Sequence, residues 1–311
     1  MVPLLRPLTR ADFDAVVALD RGLTGKERRA WFTQRLNAAL RQPRRHLQLA
    51  ADGEGGLAGF VLARVVSGEY GRPGDLLVLE TIGVSAAARH SGLGQRMMAE
   101  LAELGRARGH RAIVTQVDWR DHRMTSFLDH AGFAMSRTVV AGRPVARMSL
   151  PETDEEVEAF PPVVRHLTVA DLPAIRKIDQ RITGSDRGDY LARKLDEALG
   201  ESAITVSLGV EDDGALVGFV TARVDFGGYG KVVASATMDT IGMDPRFQGR
   251  GFARAMLTQL VDNLAAIDVE TLETEVAYDD LALLKFLYTF GFVPSSRLVL
   301  ERSLADAAAA R

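Results

Sequence analysis

Displaced by 159 residues, the chain matches itself without a gap. "RPLTRADFDAVVALD" at 6–20 meets "RHLTVADLPAIRKID" at 165–179, and "LAGFVLARV" at 57–65 meets "LVGFVTARV" at 216–224. "ETIGV" at 80–84 meets "DTIGM" at 239–243, and "TSFLDHAGF" at 125–133 meets "LKFLYTFGF" at 284–292. Roughly 40 of about 140 aligned positions are identical. Solenoid repeats are about 20 to 50 residues long, so a period this large is a duplicated domain instead. With 311 residues, 47% of them apolar, the chain can bury two cores. The expected division is 1–150 and 163–311. Between them, "PETDEEVEAFPP" at 151–162 is acidic, carries three prolines and reads as the linker.

Each copy has the same order of elements. Thr9 with Asp12 three residues on marks a helix start, followed by apolar Phe13, Val16, Val17 and Leu19. A second helix is expected around 27–40. Two strands, "HLQLAAD" and "GLAGFVLARVV", follow around the turn "DGEGG". The strand "LLVLETIGV" then runs into a glycine loop and a helix with Met97, Met98, Leu101 and Leu104 on one face, matched by Met256, Leu257, Leu260 and Leu264. Another strand, "AIVTQV" or "LETEV", leads to a short helix, and a last strand is expected to close each copy. The outcome is mixed α/β.

The loop between strand and helix constrains function most. Helix N-termini present unpaired amides and the positive end of the dipole, and a glycine there lets an anion approach the backbone. In "MDPRFQGRGFARAM", 243–256, arginines stand at 246, 250 and 254 around two glycines. A dinucleotide fingerprint needs G-x-G-x-x-G, but its third position is Met97 in one copy and Arg254 in the other. A Walker A run is absent. Both copies share R/Q-x-x-G-x-G/A, as "RHSGLG" at 89–94 and "QGRGFA" at 248–253. Found twice, each time after a strand and before an amphipathic helix, the pattern is specific.

On these loops and the strands before them, nearly the whole chain resembles two tandem domains of the GNAT superfamily, the acetyl-CoA-dependent N-acetyltransferases. The resemblance implies, in each half, a mixed, mostly antiparallel sheet flanked by helices with a splayed central strand. It also implies acetyl-CoA as the cofactor. Its pyrophosphate would be held by the loop amides of Arg89, His90, Ser91, Gly92, Leu93 and Gly94, and of Gln248, Gly249, Arg250, Gly251, Phe252 and Ala253. Convergent amides suit a diphosphate that no protein-held metal neutralises. Gly83 and Gly242 lie inside strands, where glycine marks a bulge or a close backbone approach. In the resembling family the pantetheine arm slots beside this strand, which assigns it to Ile82, Gly83 and Val84, and to Ile241, Gly242 and Met243.

Acetyl transfer to an amine needs a deprotonated nucleophile, a donor for the developing oxyanion and a leaving thiolate. An alkylammonium titrates near 10, so a carboxylate is a suitable proton sink. Glu80 and Asp239 occupy matching places on the apolar strand, two residues before Ile82 and Ile241, and alternation predicts a shared face. They are the candidate catalytic residues. The tyrosine this family commonly places before G-F is replaced by Leu128 and Leu287. Tyr288 is turned about 100° away on the helix. Asp121 and Asp280 stand where the family often has asparagine. Tyr70 and Tyr229 match between copies in a glycine-rich turn. His122 and His130, eight apart without a third partner, do not make a metal site.

Charge and composition narrow the reading further. The chain has no cysteine, which excludes disulfides, thiolate metal sites and a cysteine nucleophile, and fits a reducing compartment. The start, charged at Arg6, does not read as a secretory signal, and no run of about 18 apolar residues exists, so a cytoplasmic protein is expected. Residues 1–150 hold 22 Lys and Arg against 14 Asp and Glu, and the remainder 16 against 27. Opposite halves of this kind attract. The acids of the second half, Asp225, Asp239, Glu273, Glu275, Asp279 and Asp280, would also concentrate a cationic amine. On that ground the second half is the expected catalytic one. The activity expected is N-acetyl transfer to a primary amine of a small molecule by direct attack on the thioester. The rivals are an aminoacyl-tRNA-dependent transferase of the same fold, against which both retained coenzyme loops argue, and a non-catalytic coenzyme-A-binding module.

Overall fold

The computed structural model describes residues 4–71, 74–145, 162–197, 199, 206–225, 228–230 and 234–305. The expected linker lies outside them except for Pro162. The first copy runs β1 (Leu4–Pro7), α1 (Phe13–Thr24), α2 (Arg29–Arg41), β2 (His46–Gly53), β3 (Gly56–Ser67), β4 (Asp75–Val84), α3 (Leu93–Ala107), β5 (Ala112–Asp118), α4 (His122–His130) and β6 (Ala134–Pro144). The second repeats it as β7 (Val163–His166), α5 (Leu172–Thr183), α6 (Gly188–Asp196), β8 (Leu208–Asp212), β9 (Ala215–Asp225), β10 (Ser235–Met243), α7 (Phe252–Ala265), β11 (Thr271–Ala277), α8 (Leu281–Thr289) and β12 (Val293–Ser303). No described helix is long and apolar enough to cross a membrane.

Local chemistry is duplicated along with the sequence. Thr9 and Asp12 form a capping box ahead of α1, and Thr168 and Asp171 repeat it ahead of α5. Arg6 of β1 clamps Asp12 through both carboxylate oxygens at 2.7 and 2.8 Å, and its guanidinium holds that carboxyl well below the usual range. Both helices stop at a left-handed glycine, Gly25 (φ 71°) and Gly184 (φ 70°).

The described strands form one sheet in the order β1-β2-β3-β4-β5-β12-β6-β11-β10-β9-β8-β7. Only β4–β5 and β10–β11 are parallel pairs. The middle of this order corrects the expectation that each copy closes itself. β12, from the second copy, lies beside β5 of the first, with Arg297 opposite Asp118 and Ser303 opposite Ala112. β6, from the first copy, lies beside β11 of the second. The last strands are exchanged, and β6 and β12 pair with each other between the halves.

Each core is therefore completed by the other copy. Met97, Met98 and Leu101 of α3 bury against Leu77, Leu79 and Ile113, together with Leu300 and Leu304 from the second copy. Met256, Leu257 and Leu260 of α7 pack in a cluster that takes in Ala141 and Val145 from the first. The tight turns after β3 and β9 cross over as well. Tyr229 packs on a patch of Val66, Leu76, Val78 and Val114 in the first copy, completed by Val140 and Val299 of the exchanged strands. Tyr70 and Tyr229 both hold positive φ, 52° and 54°, a strain of about 1–3 kcal/mol that persists only where packing fixes it.

Shared cores predict shared unfolding. Trp31 and Trp119 both sit in the first copy, whereas far-ultraviolet circular dichroism reports on both. In urea, tryptophan fluorescence and dichroism are expected to trace one coincident transition. Two separated midpoints would show that the halves are independent and that the exchange contributes little.

Candidate active site

One extra residue in each central strand organises the site. Across β3 and β4 the pairs step from Leu62–Thr81 to Ala63–Leu79, so Glu80 is a bulge with no partner of its own. Across β9 and β10 they step from Thr221–Thr240 to Ala222–Met238, leaving out Asp239. The bulge lies at the carboxylates and not at the strand glycines. Gly83 and Gly242 serve packing instead: a Cβ on Gly83 would meet the Phe60 ring at 2.5 Å, and one on Gly242 the Phe219 ring at 2.7 Å. The bulge also overturns the shared face expected for Glu80 and Ile82. Ile82 packs toward the cluster under α3, whereas Glu80 turns to Arg35 of α2 and Arg64 of β3.

Beyond the bulge the strands part. β4 pairs with β5 only at Leu77–Ile113 and Val78–Val114, and β10 with β11 only from Ser235–Thr271 to Thr237–Glu273. At each fork a threonine braces the last contact: Thr115 Oγ1 donates to the carbonyl of Leu79 at 2.9 Å, and Thr274 Oγ1 to that of Met238 at 2.8 Å. The β5-facing edge of β4 past Leu79 has no ladder partner among the described residues. An extended ligand can pair there, with Ile82, Gly83 and Val84, or with Ile241, Gly242 and Met243 in the second copy.

The loops have the same backbone shape in both halves. His90 (φ 62°) and Gly249 (φ 77°) are left-handed, as are Gly92 (φ 78°) and Gly251 (φ 80°), which cap α3 and α7. Alternating left-handed residues at a helix start turn successive amides toward one point, a concavity for an anion. Arg89, His90, Ser91 and Gly92 are exposed, as are Gln248, Gly249, Arg250 and Gly251. Leu93 and Phe252 are buried, so they offer only amides. Gly94, where the second loop has Ala253, makes room for Phe127, which a Cβ would meet at 2.9 Å. Of the arginines beside the second loop, Arg246 is tied to Asp244 at 2.9 Å, Arg250 stacks on Phe247, and Arg254 on Phe290.

The two carboxylates meet different surroundings. Glu80 takes Arg64 Nε at 3.0 Å and Arg35 at 3.1 Å, both on Oε1, and Oε2 accepts no hydrogen bond from a described residue. It lines a cavity of about 660 Å³ that passes through the fork. Asp20, Thr24, Arg28 and Thr81 stand on one side of it, with Arg89, Arg123, Phe127 and Leu128 on the other. The buried Arg28–Asp20 pair braces the first wall. Tyr229 and Arg297 of the second copy close the seam end beside Gln116. A second void of about 30 Å³, room for about one water, lies in the seam between Glu80, Glu69, Tyr70, Tyr229 and Glu275.

Asp239 is boxed in instead. Arg223 stands 3.1 Å and Lys194 3.6 Å from its Oδ1, and that oxygen is buried without a hydrogen bond. Glu69, carried over on the first copy's turn, binds Lys194 directly. Burial pushes the Asp239 carboxyl up against the pull of Arg223 and Lys194, and the Glu69 charge adds to the rise. Burial acts on Glu69 in the same sense, but Lys194, Arg64 and Arg223 hold it well below the usual carboxylate range. Tyr190 adds a hydroxyl contact to Thr240 at 2.7 Å, whereas the matching Thr81 lines the cavity.

Other sequence candidates resolve simply. Asp121 and Asp280 cap α4 and α8, accepting from the amides of Met124 (2.9 Å) and Leu283 (3.0 Å). Leu128 and Leu287 are buried, and Tyr288 is 65% exposed. His122 and His130 are exposed. Glu275, Asp279 and Asp280 of the second half are already engaged. Glu275 accepts from Gln116 Nε2 at 2.7 Å across the seam, and Asp279 faces Arg137 at 3.5 Å. Sequence reasoning missed Arg64 and Arg223, although a basic residue repeated inside "ARV" of an apolar strand is the signal that points to them. Gln116 and Arg297 have no such signal, because they differ from their counterparts Glu275 and Thr138.

Comparison with known proteins agrees with this geometry. The sequence model of the acetyltransferase (GNAT) family matches residues 13–133 and again 172–292. A ribosomal protein bS18 alanine N-acetyltransferase of Salmonella typhimurium is 29% identical over 126 residues, 40% of this chain and 77% of its own. Two solved structures share the fold over nearly the whole length. A GCN5-related N-acetyltransferase from Sphaerobacter thermophilus has a TM-score of 0.63 at 17% identity, over 97% of this chain and 96% of its own. A tandem GNAT protein from the clavulanic acid biosynthesis pathway has a TM-score of 0.66 at 15% identity, over 98% and 99%. With its model matched once in each copy, the chain belongs to the acetyltransferase (GNAT) family and is an acyltransferase built from two tandem GNAT units.

Proposed function

We propose that the chain moves an acetyl group from acetyl-CoA to a primary amine of a small molecule, and that the first half carries the reaction. The observation that carries this is the cavity at the β4–β5 fork, into which Glu80 leaves Oε2 unengaged while Asp239 is held among cations. This reverses the preference for the second half drawn from its acidity, since Glu275 and Asp279 pair with the first copy and Asp280 caps α8.

Three features fit acetyl-CoA: the left-handed loop ahead of α3, the unpaired edge of β4, and a cavity joining them. Bound there, the cofactor supplies the acetyl thioester. The loop amides at 89–94 hold its phosphates, and Ile82, Gly83 and Val84 pair with its arm and offer amides to the carbonyl oxygen. Glu80 Oε2 takes the proton from the acceptor ammonium, directly or through one water, while Arg64 and Arg35 fix Oε1 and hence the orientation of the group. The cavity wall at Leu128 offers no proton, and a thiol of pKa about 8.5 leaves without one. The cavity, about 660 Å³, falls in the usual range of about 300–1,000 Å³ for small-molecule sites and is shared by cofactor arm and acceptor. The Salmonella relative is named for acting on a ribosomal protein, so a peptide beginning with alanine is the comparison acceptor.

Thiol release from acetyl-CoA is the direct test, run on a panel of small amines and that peptide. Glu80→Gln is expected to lower turnover by about 10²- to 10⁴-fold, with the loss shrinking as pH rises and more amine is already free. Asp239→Asn is expected to change turnover by less than about threefold. Equal losses in both variants, or none in Glu80→Gln, would sink the assignment. A peptide outrunning every small amine would remove the small-molecule reading.

Coenzyme binding is a separate expectation. Both loops keep their left-handed caps, so calorimetry is expected to find two equivalents of coenzyme A per chain. Gly92→Val and Gly251→Val should each abolish one, because a β-branched residue is strained at φ near 80°. A single equivalent in the wild type refutes the second site.

A further inference from the structure

Arg297 is the one arginine at this cavity supplied by the other half, and its guanidinium is only partly used. Nε donates to Gln116 Oε1 at 3.1 Å, and Nη2 donates to the carbonyls of Gln116 and Tyr229 at 3.3 Å each. Nη1, with two N–H groups, donates to no described residue. Among the described residues no carboxylate stands within 4.0 Å of it. The carboxylates that act on it from farther off are Glu273 and Asp118, and Asp118 is already taken by Arg120 at 2.7 Å and Ser296 at 2.8 Å. Burial pulls Arg297 below the usual guanidinium range. The guanidinium also lies over the Tyr229 ring at 5.7 Å, so Arg297 is held by neutral partners and by acids farther off, and Nη1 is the nitrogen open to an anion.

Its place in the site says which anion. On β5 alternation puts Val114, Gln116 and Asp118 on one face. That face carries the patch of Val66, Val78 and Val114 beneath Tyr229, opposite the α3 cluster that holds Val117. Glu80 turns to the same side, toward Arg64 and Arg35. Arg297 is bound to Gln116 there, so it belongs to the acceptor side and not to the phosphate loop, whose own arginine is Arg89. The counterpart of Arg297 in the first copy is Thr138, so the second cleft gains no such cation.

We infer that the acceptor is an amine that also bears a carboxylate, held by Arg297 of the second half while its amino group lies at Glu80 of the first. One guanidinium with a single free nitrogen matches a monoanion. The inference rests on the transferase reading for the role of Glu80, but the carboxylate subsite has its own readout.

Ligand-observed NMR on the protein loaded with coenzyme A provides that readout. The probes are the common amino acids, each paired with the amine left when its carboxylate is removed: lysine with cadaverine, ornithine with putrescine, phenylalanine with phenethylamine. Charge-assisted bonds to one guanidinium predict that the best amino acid binds about 10- to 100-fold tighter than its paired amine. Arg297→Gln should erase that gap while leaving the binding of the bare amine unchanged, and Arg297→Lys should keep part of it. Loss of all binding with a collapsed melting temperature in Arg297→Gln passes the decision to Arg297→Lys, which must then retain a gap. Equal binding of paired probes by the wild type, binding of neither, or a gap that survives in Arg297→Gln overturns the inference. Adding acetyl-CoA to the bound pairs separates the two claims. Amino acids that bind through Arg297 but release no thiol would refute acetyl transfer and leave the subsite standing.

Discussion

The bulge at Glu80 pulls β4 away from β5 after two paired residues, and both ligand routes follow from that. An inserted residue reverses the alternation of its strand. Leu77 and Leu79 before it and Ile82 and Val84 after it therefore all pack toward α3, although their numbers change parity. The apolar face stays continuous, and the residue in excess is forced to the opposite side. A carboxylate there would be costly alone, and Arg64 and Arg35 neutralise it. The same step leaves the far edge of β4 unpaired and opens the fork. One extra residue thus aims the acid and makes room for the ligand.

The exchange of last strands acts on a larger scale. Because β12 runs along β5 and β6 along β11, the seam between copies passes directly beside both forks. Each cleft then meets the other copy's turn. With glycine at 228, the described residues of the second copy's turn bring Tyr229 and no carboxylate to the first cleft, whereas Glu69 on the first copy's turn reaches Lys194 in the second. The clefts start from the same sequence and part company through these few residues. One keeps a cavity with an unengaged carboxylate oxygen. The other holds a cluster in which Lys194 and Arg223 meet Asp239, Glu69 and Glu197, expensive to break by removing one partner.

Much of this is legible in the sequence, in proportion to how local it is. The offset of 159, the capping box at Thr9 and Asp12, the amphipathic α3 and α7, and the glycine loops all rest on neighbours within a few residues. The position of the bulge is half legible. Glycine within a strand signals irregularity, but Gly83 answers to the Phe60 ring across the sheet, while Glu80 takes the bulge three residues earlier. The exchange is not legible. β6 and β12 derive from one ancestral strand and carry compatible apolar faces, so each satisfies β5 or β11 by local pattern. Which one it joins is decided by packing at long range. The contribution of Tyr229 and Arg297 to the first cleft depends on that exchange and is hidden for the same reason.

The opposite charges of the two halves take on a specific meaning in this light. A diffuse attraction between a basic and an acidic unit would be screened within about 10 Å at ordinary salt. The contacts found across the seam are short and in large part buried: Glu69 with Lys194, Gln116 with Glu275. Two of the acids that read as a field for attracting substrate, Glu275 and Asp279, instead pair with the first copy. A cation from the acidic half, Arg297, ends up in the basic half's cavity with neutral partners on Nε and Nη2 and none among the described residues on Nη1. Net charge by halves therefore says little about the charge at the cleft. The groups left open at the cleft are one carboxylate oxygen of Glu80, from the first copy, and one guanidinium nitrogen of Arg297, brought in by the exchange, and the proposed amino acid acceptor follows from that pair of opposite charges.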